Sequence, residues 1–269
     1  MKVRLALVLL LSSSAFAQSR FNGTWEMKMD TLQFSGSPEE YLIADGMYHC
    51  VSCIPQVDVK ADGTDYAVAG HEMFYDTIAA RVVDNSSVEL TFKKGGQPAA
   101  ISTETVSSDG RTMIETFTNS MQREAVVGNA HFLRVSEGPS GSHILSGKWA
   151  MQTVKNETRA GTLTTYRLRA GTMTISDGSQ SYSAKLDGKQ YPLGDFGNAT
   201  VSLKLISPST MEETDRLEGK VISVTRSTVS PDGRSMRVEM INKQHSQTMT
   251  YTAVKIRRSA GAGPNRSVK

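Results

Sequence analysis

A nine-residue stretch occurs twice in the chain, and this repeat constrains the fold more than any other feature. Residues 105–113 read Thr-Val-Ser-Ser-Asp-Gly-Arg-Thr-Met, and residues 228–236 read Thr-Val-Ser-Pro-Asp-Gly-Arg-Ser-Met, with seven of nine positions identical. Each copy places Asp-Gly between segments of alternating apolar residues. This pattern predicts a β-hairpin, because glycine adopts the positive φ of a tight turn without steric cost. The repeat indicates an internal duplication.

Other landmarks recur with almost the same offset. Two further motifs reappear 124 and 125 residues later: Gly23-Thr24-Trp25 as Gly147-Lys148-Trp149, and Asp62-Gly63-x-x-Tyr66 as Asp187-Gly188-x-x-Tyr191. An offset this constant predicts two homologous domains, residues 18–136 and 146–257. The segment between them, 137–145, is rich in glycine, serine and proline, which is typical of a flexible linker.

Each half is predicted to be antiparallel β-structure. Segments 112–117 and 235–241 alternate between apolar and polar residues, and turn signals recur about every ten residues. No window favours an amphipathic helix longer than about two turns. Roughly 120 residues with eight to ten short strands suit a closed or nearly closed barrel, which removes exposed strand edges. A β-sandwich is the alternative.

The two repeated tryptophans favour a barrel over a sandwich. Gly-x-Trp occurs at the first predicted strand of each half, at Trp25 and Trp149. This resembles the lipocalin pattern, in which the tryptophan closes one end of an up-and-down barrel, and the resemblance implies two tandem lipocalin-like β-barrels. Structural roles are accordingly expected for six residues: Trp25, Trp149, Tyr66, Tyr191, Gly110 and Gly233.

A second resemblance covers more of the first half. The chain carries Cys-x-Ser-Cys-x-Pro at 50–55, Lys-Ala-Asp-Gly-Thr-Asp at 60–65 and Gly-His at 70–71. This combination is similar to an uncharacterised family of secreted bacterial proteins. The resemblance implies export and a lipocalin-like barrel, and it implies no catalytic residue.

The amino terminus predicts export. Residues 1–17 combine the basic Lys2 and Arg4, a short apolar run and a small-x-small site that ends at Ala17. The run is shorter than the roughly 20 residues that a membrane span needs. We therefore expect cleavage near Ala17 and a periplasmic or secreted protein. The basic tail, 258–269, is expected to be disordered, although it could also meet an acidic partner or a membrane surface. The charge shows no nucleic-acid footprint.

Cys50 and Cys53 are the only cysteines, and an oxidising compartment favours a disulfide between them. The alternative is a metal site that also uses His49 and His71. Alternation along a strand opposes that site, because adjacent His49 and Cys50 point to opposite faces. His71 with Glu72, Tyr75 and Asp76 could instead form a His–carboxylate pair for general base work. We assign no catalytic residue, metal or cofactor.

The leading functional hypothesis is a non-catalytic binding protein for a small apolar or amphipathic ligand, since a barrel can hold such a ligand at its mouth. Methionines in the predicted strands suit an adaptable cavity. Because the second half lacks counterparts of His49, Cys50, Cys53 and His71, the ligand is predicted to bind in the first half, near His71, Tyr75 and His49. The alternatives are an envelope protein–protein interaction module with filled barrels, and a metal-binding or enzymatic site at His71, Cys50 and Cys53.

Overall fold

The structure is a computed structural model. It describes four stretches of the chain: 20–71, 74–178, 180–194 and 196–256. The predicted signal segment and basic tail lie outside these stretches. Within them the chain forms strands and two 3-10 turns, at Met29–Thr31 and Ala160–Thr162, and no α-helix. These stretches also contain no helix long and apolar enough to cross a membrane.

The two halves carry the same series of strands. Those of the first half are β1 Gly23–Met27, β2 Gln33–Gly36, β3 Glu39–Ala44, β4 Met47–Cys50, β5 Val57–Lys60, β6 Tyr66–Ala67, β7 Thr77–Val82, β8 Ser87–Lys94, β9 Gln97–Val106, β10 Thr112–Asn119 and β11 Val126–Glu137. Those of the second half are β12 Gly147–Asn156, β13 Leu163–Arg169, β14 Thr172–Ser176, β15 Ser181–Lys185, β16 Tyr191–Pro192, β17 Ala199–Ser207, β18 Thr210–Leu217, β19 Lys220–Val229, β20 Ser235–Asn242 and β21 Gln247–Lys255. Only β2 lacks a counterpart in the other half, within the described residues.

The strands form two antiparallel sheets, and each sheet curls into a nearly closed barrel. Barrel 1 has ten strands in the order β5-β4-β3-β12-β11-β10-β9-β8-β7-β6. Barrel 2 has eleven strands, in the order β15-β14-β13-β1-β21-β20-β19-β18-β17-β16 with β2 paired to β21 beside that path. The prediction of an all-β protein with two tandem barrels is therefore confirmed, and the β-sandwich alternative is wrong.

An aspartate closes the seam of each barrel. In barrel 1, Asp62 forms an isolated bridge with Arg81 of β7 and accepts a hydrogen bond of 2.9 Å from the Tyr66 hydroxyl group. In barrel 2, Asp187 forms the equivalent bridge with Lys204 and accepts a hydrogen bond of 3.0 Å from the Tyr191 hydroxyl group. The bridge joins the end of one edge strand to the other edge of the sheet, which is why the recurring Asp-Gly-x-x-Tyr motif belongs to the barrel closure.

The sheets divide the chain differently from the sequence repeats, because the first strand of each repeat lies in the other barrel. β1 pairs with β13 and β21 of barrel 2, whereas β12 pairs with β3 and β11 of barrel 1. Barrel 1 is thus built from strands within 39–156. Barrel 2 combines β1 and β2 with the strands of 163–255. The expected domains 18–136 and 146–257 do not describe either barrel.

Short connections explain this exchange. β11 ends at Glu137 and β12 begins at Gly147, so the predicted linker joins two neighbouring strands of one sheet. Consecutive strands usually pair, because a short loop costs little entropy to close. β2 pairs with β21 and keeps the segment after β1 on barrel 2. The chain therefore passes between the barrels at 37–38 and at 157–162.

One tryptophan is buried in the core of each barrel. Trp25 is 1% exposed in the core of barrel 2, and Trp149 is 0% exposed in the core of barrel 1. Their indole N–H groups donate hydrogen bonds of 2.8 Å to the carbonyl oxygens of Phe21 and Leu145, respectively. A buried indole needs such an acceptor. The exchanged strands therefore carry the core anchors of the barrels that they enter.

A cation covers each tryptophan ring. Arg134 lies 4.0 Å from the ring centroid of its tryptophan in barrel 1, and Lys255 lies 4.6 Å from its tryptophan in barrel 2. Both cations are Cα partners of the tryptophan that they cover. Arg111 and Arg234 of the repeated Asp-Gly-Arg motif lie beside these cations, since their carbonyl oxygens accept hydrogen bonds of 2.9 Å from the Arg134 and Lys255 amides.

The Asp-Gly turns join β9 to β10 and β19 to β20. Gly110 and Gly233 have φ values of 71° and 70°, in the left-handed region that favours glycine. Asp109 Oδ1 accepts hydrogen bonds from the Ser107 hydroxyl group at 2.7 Å and from the Arg111 amide at 3.1 Å. Asp232 makes the same two bonds. The duplicated sequence thus encodes a duplicated hydrogen-bonded turn.

Candidate ligand-binding site

The cysteine pair forms a turn that is fixed to barrel 1. Cys50 and Cys53 are joined by a disulfide, which confirms the sequence prediction. Cys50 is buried in the barrel core at the end of β4. The amides of Val51 and Ser52 donate to the Glu40 carbonyl oxygen of β3 at 2.9 and 3.3 Å. While the disulfide is intact, neither sulfur is available as a thiolate ligand or nucleophile.

Replacing Cys53 with serine should lower the free energy of unfolding by no more than about 2 kcal/mol, because the disulfide closes a loop of about four residues. Hydrogen bonds to β3 also hold the turn, and they do not involve the sulfur atoms. Urea unfolding of the oxidised wild type and the variant measures the difference. Titration of the native wild type should find no free thiol. Two free thiols, or a loss above about 4 kcal/mol, would contradict this limited role of the disulfide.

His71 and Tyr75 lie together behind the disulfide turn. The His71 ring is 9% exposed, and its Nε2 lies 2.8 Å from the Pro55 carbonyl oxygen, to which it donates. The ring stacks on Tyr75 at 4.9 Å between centroids, and Tyr75 meets Phe92 edge-on at 4.9 Å. Burial raises the pKa of Tyr75 to about 12. These contacts brace the turn that carries Pro55.

His49 does not join them. It lies on the outer face of β4, opposite in direction to the buried Cys50, and its Nδ1 is 2.5 Å from Asp58 Oδ1 on β5. Of the three residues predicted to contact a ligand, the structure brings together His71 and Tyr75 and leaves His49 on another surface.

The described side chains near His71 form no metal-binding group, and Asp76 serves a turn. Among the described residues, no group of three or more His, Cys, Asp or Glu side chains is placed to hold a metal ion. The carboxylate of Asp76 accepts hydrogen bonds from the Gly95 amide at 2.7 Å and the Thr77 hydroxyl group at 3.0 Å. Asp76 therefore fixes the turn between β8 and β9.

An apolar groove of about 250 Å³ runs between the two barrels. Phe34 of β2, Met151 of β12, Met240 of β20 and Met249 of β21 line it. All four side chains are half-buried. Met240 and Met249 are Cα partners, so their side chains lie next to each other on the same face of the sheet. We call this surface the apolar groove.

One wall of the apolar groove is β2, the strand that has no counterpart among the described strands of the second repeat. Gly36 at its end has a φ of 113°, and a Cβ atom there would lie 2.1 Å from the Ser246 carbonyl oxygen. Only glycine permits β2 to approach the β20–β21 hairpin this closely. The groove thus depends on a strand that has no equivalent among the described strands of the second repeat.

A second cleft, of about 540 Å³, adjoins the apolar groove and shares Ser37, Asn242 and Gln247 with it. Its other walls include Glu39 and Tyr41 of β3 and the disulfide turn. We call it the disulfide cleft. Glu39 and Tyr41 lie on the inner face of barrel 1, so the disulfide cleft connects this face with the junction of the barrels.

A third cleft, of about 610 Å³, is also lined by both repeats, with Gly70 on one side and residues 196–198 on the other. Near it, the rings of Phe74 and Phe196 lie 6.4 Å apart. These three clefts combine residues of the two repeats, whereas the uneven distribution of cysteine and histidine predicts a site in the first repeat alone.

Sequence reasoning missed a cluster of acids inside barrel 1. Glu104 is 3% exposed, and Glu115 lies directly opposite it on the next strand. The signal was present, because Met113, Glu115 and Phe117 occupy alternate positions of one strand and so share a face. An acid among inward-facing apolar side chains breaks the alternation of apolar and polar residues, and such exceptions are expected at strained or functional positions.

The protein is thus an all-β protein with two barrels and with clefts where the barrels meet.

No protein-family model matches the chain, and no curated protein matches it. Among solved structures, it is similar to a double mutant of the vaccine antigen transferrin binding protein B from Haemophilus parasuis Hp5, with 8% sequence identity and a TM-score of 0.20. The match covers 75% of this chain and 43% of that protein, so the chain spans less than half of its length.

Proposed function

We propose that the protein is an exported, non-catalytic binding protein that holds a small amphipathic ligand at the junction of its two barrels. The observation that carries this proposal is the apolar groove, with one phenylalanine and three methionines on walls from both barrels. Methionine side chains are flexible and polarizable, so they adapt to irregular apolar ligands. The adjoining disulfide cleft is more polar than the groove and gives the other end of the ligand a place to be solvated.

Two features support export. The Cys50–Cys53 disulfide suits an oxidising compartment, since cytosolic proteins keep most thiols reduced. The sequence of the first 17 residues is typical of a secretory signal. A periplasmic or extracellular protein with a half-buried apolar groove is suited to carrying a sparingly soluble molecule through water.

The apolar part of the ligand is proposed to bind between the barrels rather than inside them. Barrel 1 is packed around Trp149, Phe132 and Tyr48, each at most 2% exposed, and barrel 2 is packed around Trp25 and Phe21 in the same way. Such bulky side chains fill much of the interior of a small barrel. The half-buried methionines of the groove are the apolar surface that remains accessible.

Substituting the groove methionines should weaken apolar binding. In a Nile red fluorescence titration of the full chain, the double variant Met151→Gln/Met240→Gln should bind the dye at least about tenfold more weakly, a change of about 1.4 kcal/mol. Glutamine has nearly the length of methionine, but its amide loses water when an apolar molecule covers it. Met47→Gln, on the outward side of β4, is the matched control and should bind as the wild type does.

Unchanged dye affinity in the double variant would remove the groove as the binding site. A second function, protein–protein interaction, would then be favoured by the outer face of barrel 1. There Ile114, Leu133 and Val135 are 40%, 47% and 57% exposed on the adjacent strands β10 and β11. Large exposed apolar side chains that cluster on one surface are typical of interaction sites.

A further inference from the structure

The interior of barrel 1 holds three carboxyl groups. Glu104 of β9 and Glu115 of β10 are direct Cα partners. Directly opposite residues in an antiparallel pair have Cβ atoms about 4.5–5.5 Å apart, and like charges in these positions repel. Glu39 of β3 faces the same region, and its charge acts on both of the other acids. Three acids therefore converge from three strands.

One of these acids lacks a partner for a buried oxygen. Glu104 is 3% exposed, and its Oε2 atom makes no hydrogen bond. Leaving a buried acceptor unsatisfied costs about 1–3 kcal/mol, and more if the group is charged. Burial, followed by the charges of Glu115 and Glu39, raises the pKa of Glu104 well above its ordinary value. A hydrogen-bond donor at Oε2 would therefore relieve an unfavourable position of this carboxyl group.

The described groups around the three acids are hydroxyl groups and aromatic rings. Tyr41 donates a hydrogen bond from its hydroxyl group to Glu39 Oε2, and its ring stacks on Tyr48 at 6.1 Å. Ser102 contributes a hydroxyl group to Glu115. In the described part of the chain, none of the three acids forms an ion pair with a lysine, arginine or histidine. Carboxylates together with aromatic faces are the groups that recognise organic cations.

The cluster adjoins the surface at the disulfide cleft. Glu39 and Tyr41 line that cleft, and burial, followed by the charges of Glu39 and Glu104, raises the pKa of Tyr41 well above its ordinary value. The disulfide cleft is in turn continuous with the apolar groove. Acidic groups thus lie at one end of a continuous surface, and methionines lie at the other.

We propose that the acid cluster binds the head group of a primary amine, so that the ligand of this protein is a cationic amphiphile. This inference rests on the proposed function, because the alkyl part occupies the apolar groove. An alkylammonium group has three N–H donors and a positive charge. It can satisfy Glu104 Oε2 and offset the repulsion between Glu104 and Glu115 in a single contact. A neutral or anionic head group lacks one or both of these properties.

Three ligands with the same chain test the proposal: decylamine, 1-decanol and decanoate, each titrated calorimetrically into the full chain at pH 7.5 below its aggregation threshold. We expect decylamine to bind at least tenfold more tightly than 1-decanol, and decanoate to bind most weakly. In Glu104→Gln, the affinity for decylamine should fall to that for 1-decanol, while the affinity for 1-decanol stays unchanged. Glu124→Gln, at an exposed position, should retain the preference of the wild type.

The outcomes separate this inference from the proposed function. Equal affinities of the wild type for decylamine and 1-decanol would overturn the amine inference and leave amphiphile binding in place. A preference for decylamine that persists in Glu104→Gln would also overturn it. If none of the three ligands binds, the proposed function itself fails. Thermal unfolding of each variant shows that it is folded, and Glu104→Gln should be at least as stable as the wild type because it removes a buried acid.

Discussion

Truncating Trp25 to alanine should loosen barrel 2 and leave barrel 1 intact, although Trp25 belongs to the first sequence repeat. The side chain is 1% exposed in the core of barrel 2, and its strand pairs with β13 and β21. Removing a buried tryptophan costs about 3–5 kcal/mol, because the remaining cavity does not collapse fully. The truncation also leaves the Phe21 carbonyl oxygen without its indole donor.

Native-state hydrogen exchange of the full chain measures this effect by region. Amides of β13 and β21 should exchange roughly 100- to 1000-fold faster, since every 1.4 kcal/mol is a factor of ten. Amides of β3 and β11 should keep the protection of the wild type. The matched variant Trp149→Ala should show the opposite pattern. Faster exchange in β3 and β11 of Trp25→Ala would mean that each repeat forms its own barrel. Trp25→Phe, with a smaller cavity, serves if the alanine variant unfolds.

The local turns could be read from the sequence because their causes are local. Asp109 and Gly110 form the same hydrogen bonds and left-handed glycine conformation as Asp232 and Gly233. A turn of this kind needs only a glycine and an acceptor two residues from a donor. The disulfide was predictable for a similar reason, since its two cysteines are three positions apart and have no other described partner.

The exchange of first strands could not be read from the repeats. β1 and β12 carry the same Gly-x-Trp motif, so either strand has the side chains to fill the position beside β3 and β11. What decides between them is the connection, and its effect is an entropy of loop closure. The extra strand β2 also contributes, because it holds the chain against β21. The Gly-x-Trp motif that the two repeats share carries no information about either effect.

The candidate site was only partly predictable, because it forms where the barrels meet. Phe34 and Met151 are separated by more than a hundred residues, and their proximity follows from the exchange of strands. Glu115 was within reach of sequence reasoning, since the alternation of β10 placed it on the inner face. Glu39 was not, because a single acid at the start of a strand is ordinarily exposed.

Raising the pH from 5 to 8 should lower the stability of the unliganded protein. Burial, followed by the charge of Glu39, raises the pKa of Glu115 to about 7 from an ordinary value of 4.5. In barrel 2, burial and the neighbouring Asp215 raise the pKa of Glu213 to about 8. The pKa of Asp215 is also raised, chiefly by burial. These acids therefore favour the protonated form in the folded state.

The sign of the effect follows from proton binding. Below pH 4.5 the Glu115 carboxyl is protonated in both the folded and the unfolded chain, and it does not oppose folding. Between pH 4.5 and about 7 the unfolded chain releases the proton while the folded chain keeps it, so the free energy of unfolding falls. For Glu115 alone, the loss between pH 5 and 8 is about 2–3 kcal/mol. This corresponds to a decrease in Tm of roughly 5–10 °C.

Thermal unfolding by circular dichroism at pH 5, 6, 7 and 8 and constant ionic strength measures this dependence, and Glu115→Gln tests its origin. The amide is neutral throughout the range and can keep its contact with Ser102, so the decrease in Tm should shrink. Glu124→Gln, at an exposed position, should retain the full decrease. A Tm that rises with pH, or the same slope in Glu115→Gln and the wild type, would show that the acids inside the barrels do not control the stability. Decylamine at pH 8 should restore the lost Tm in the wild type, because a bound cation stabilises the ionised carboxylates that burial disfavours.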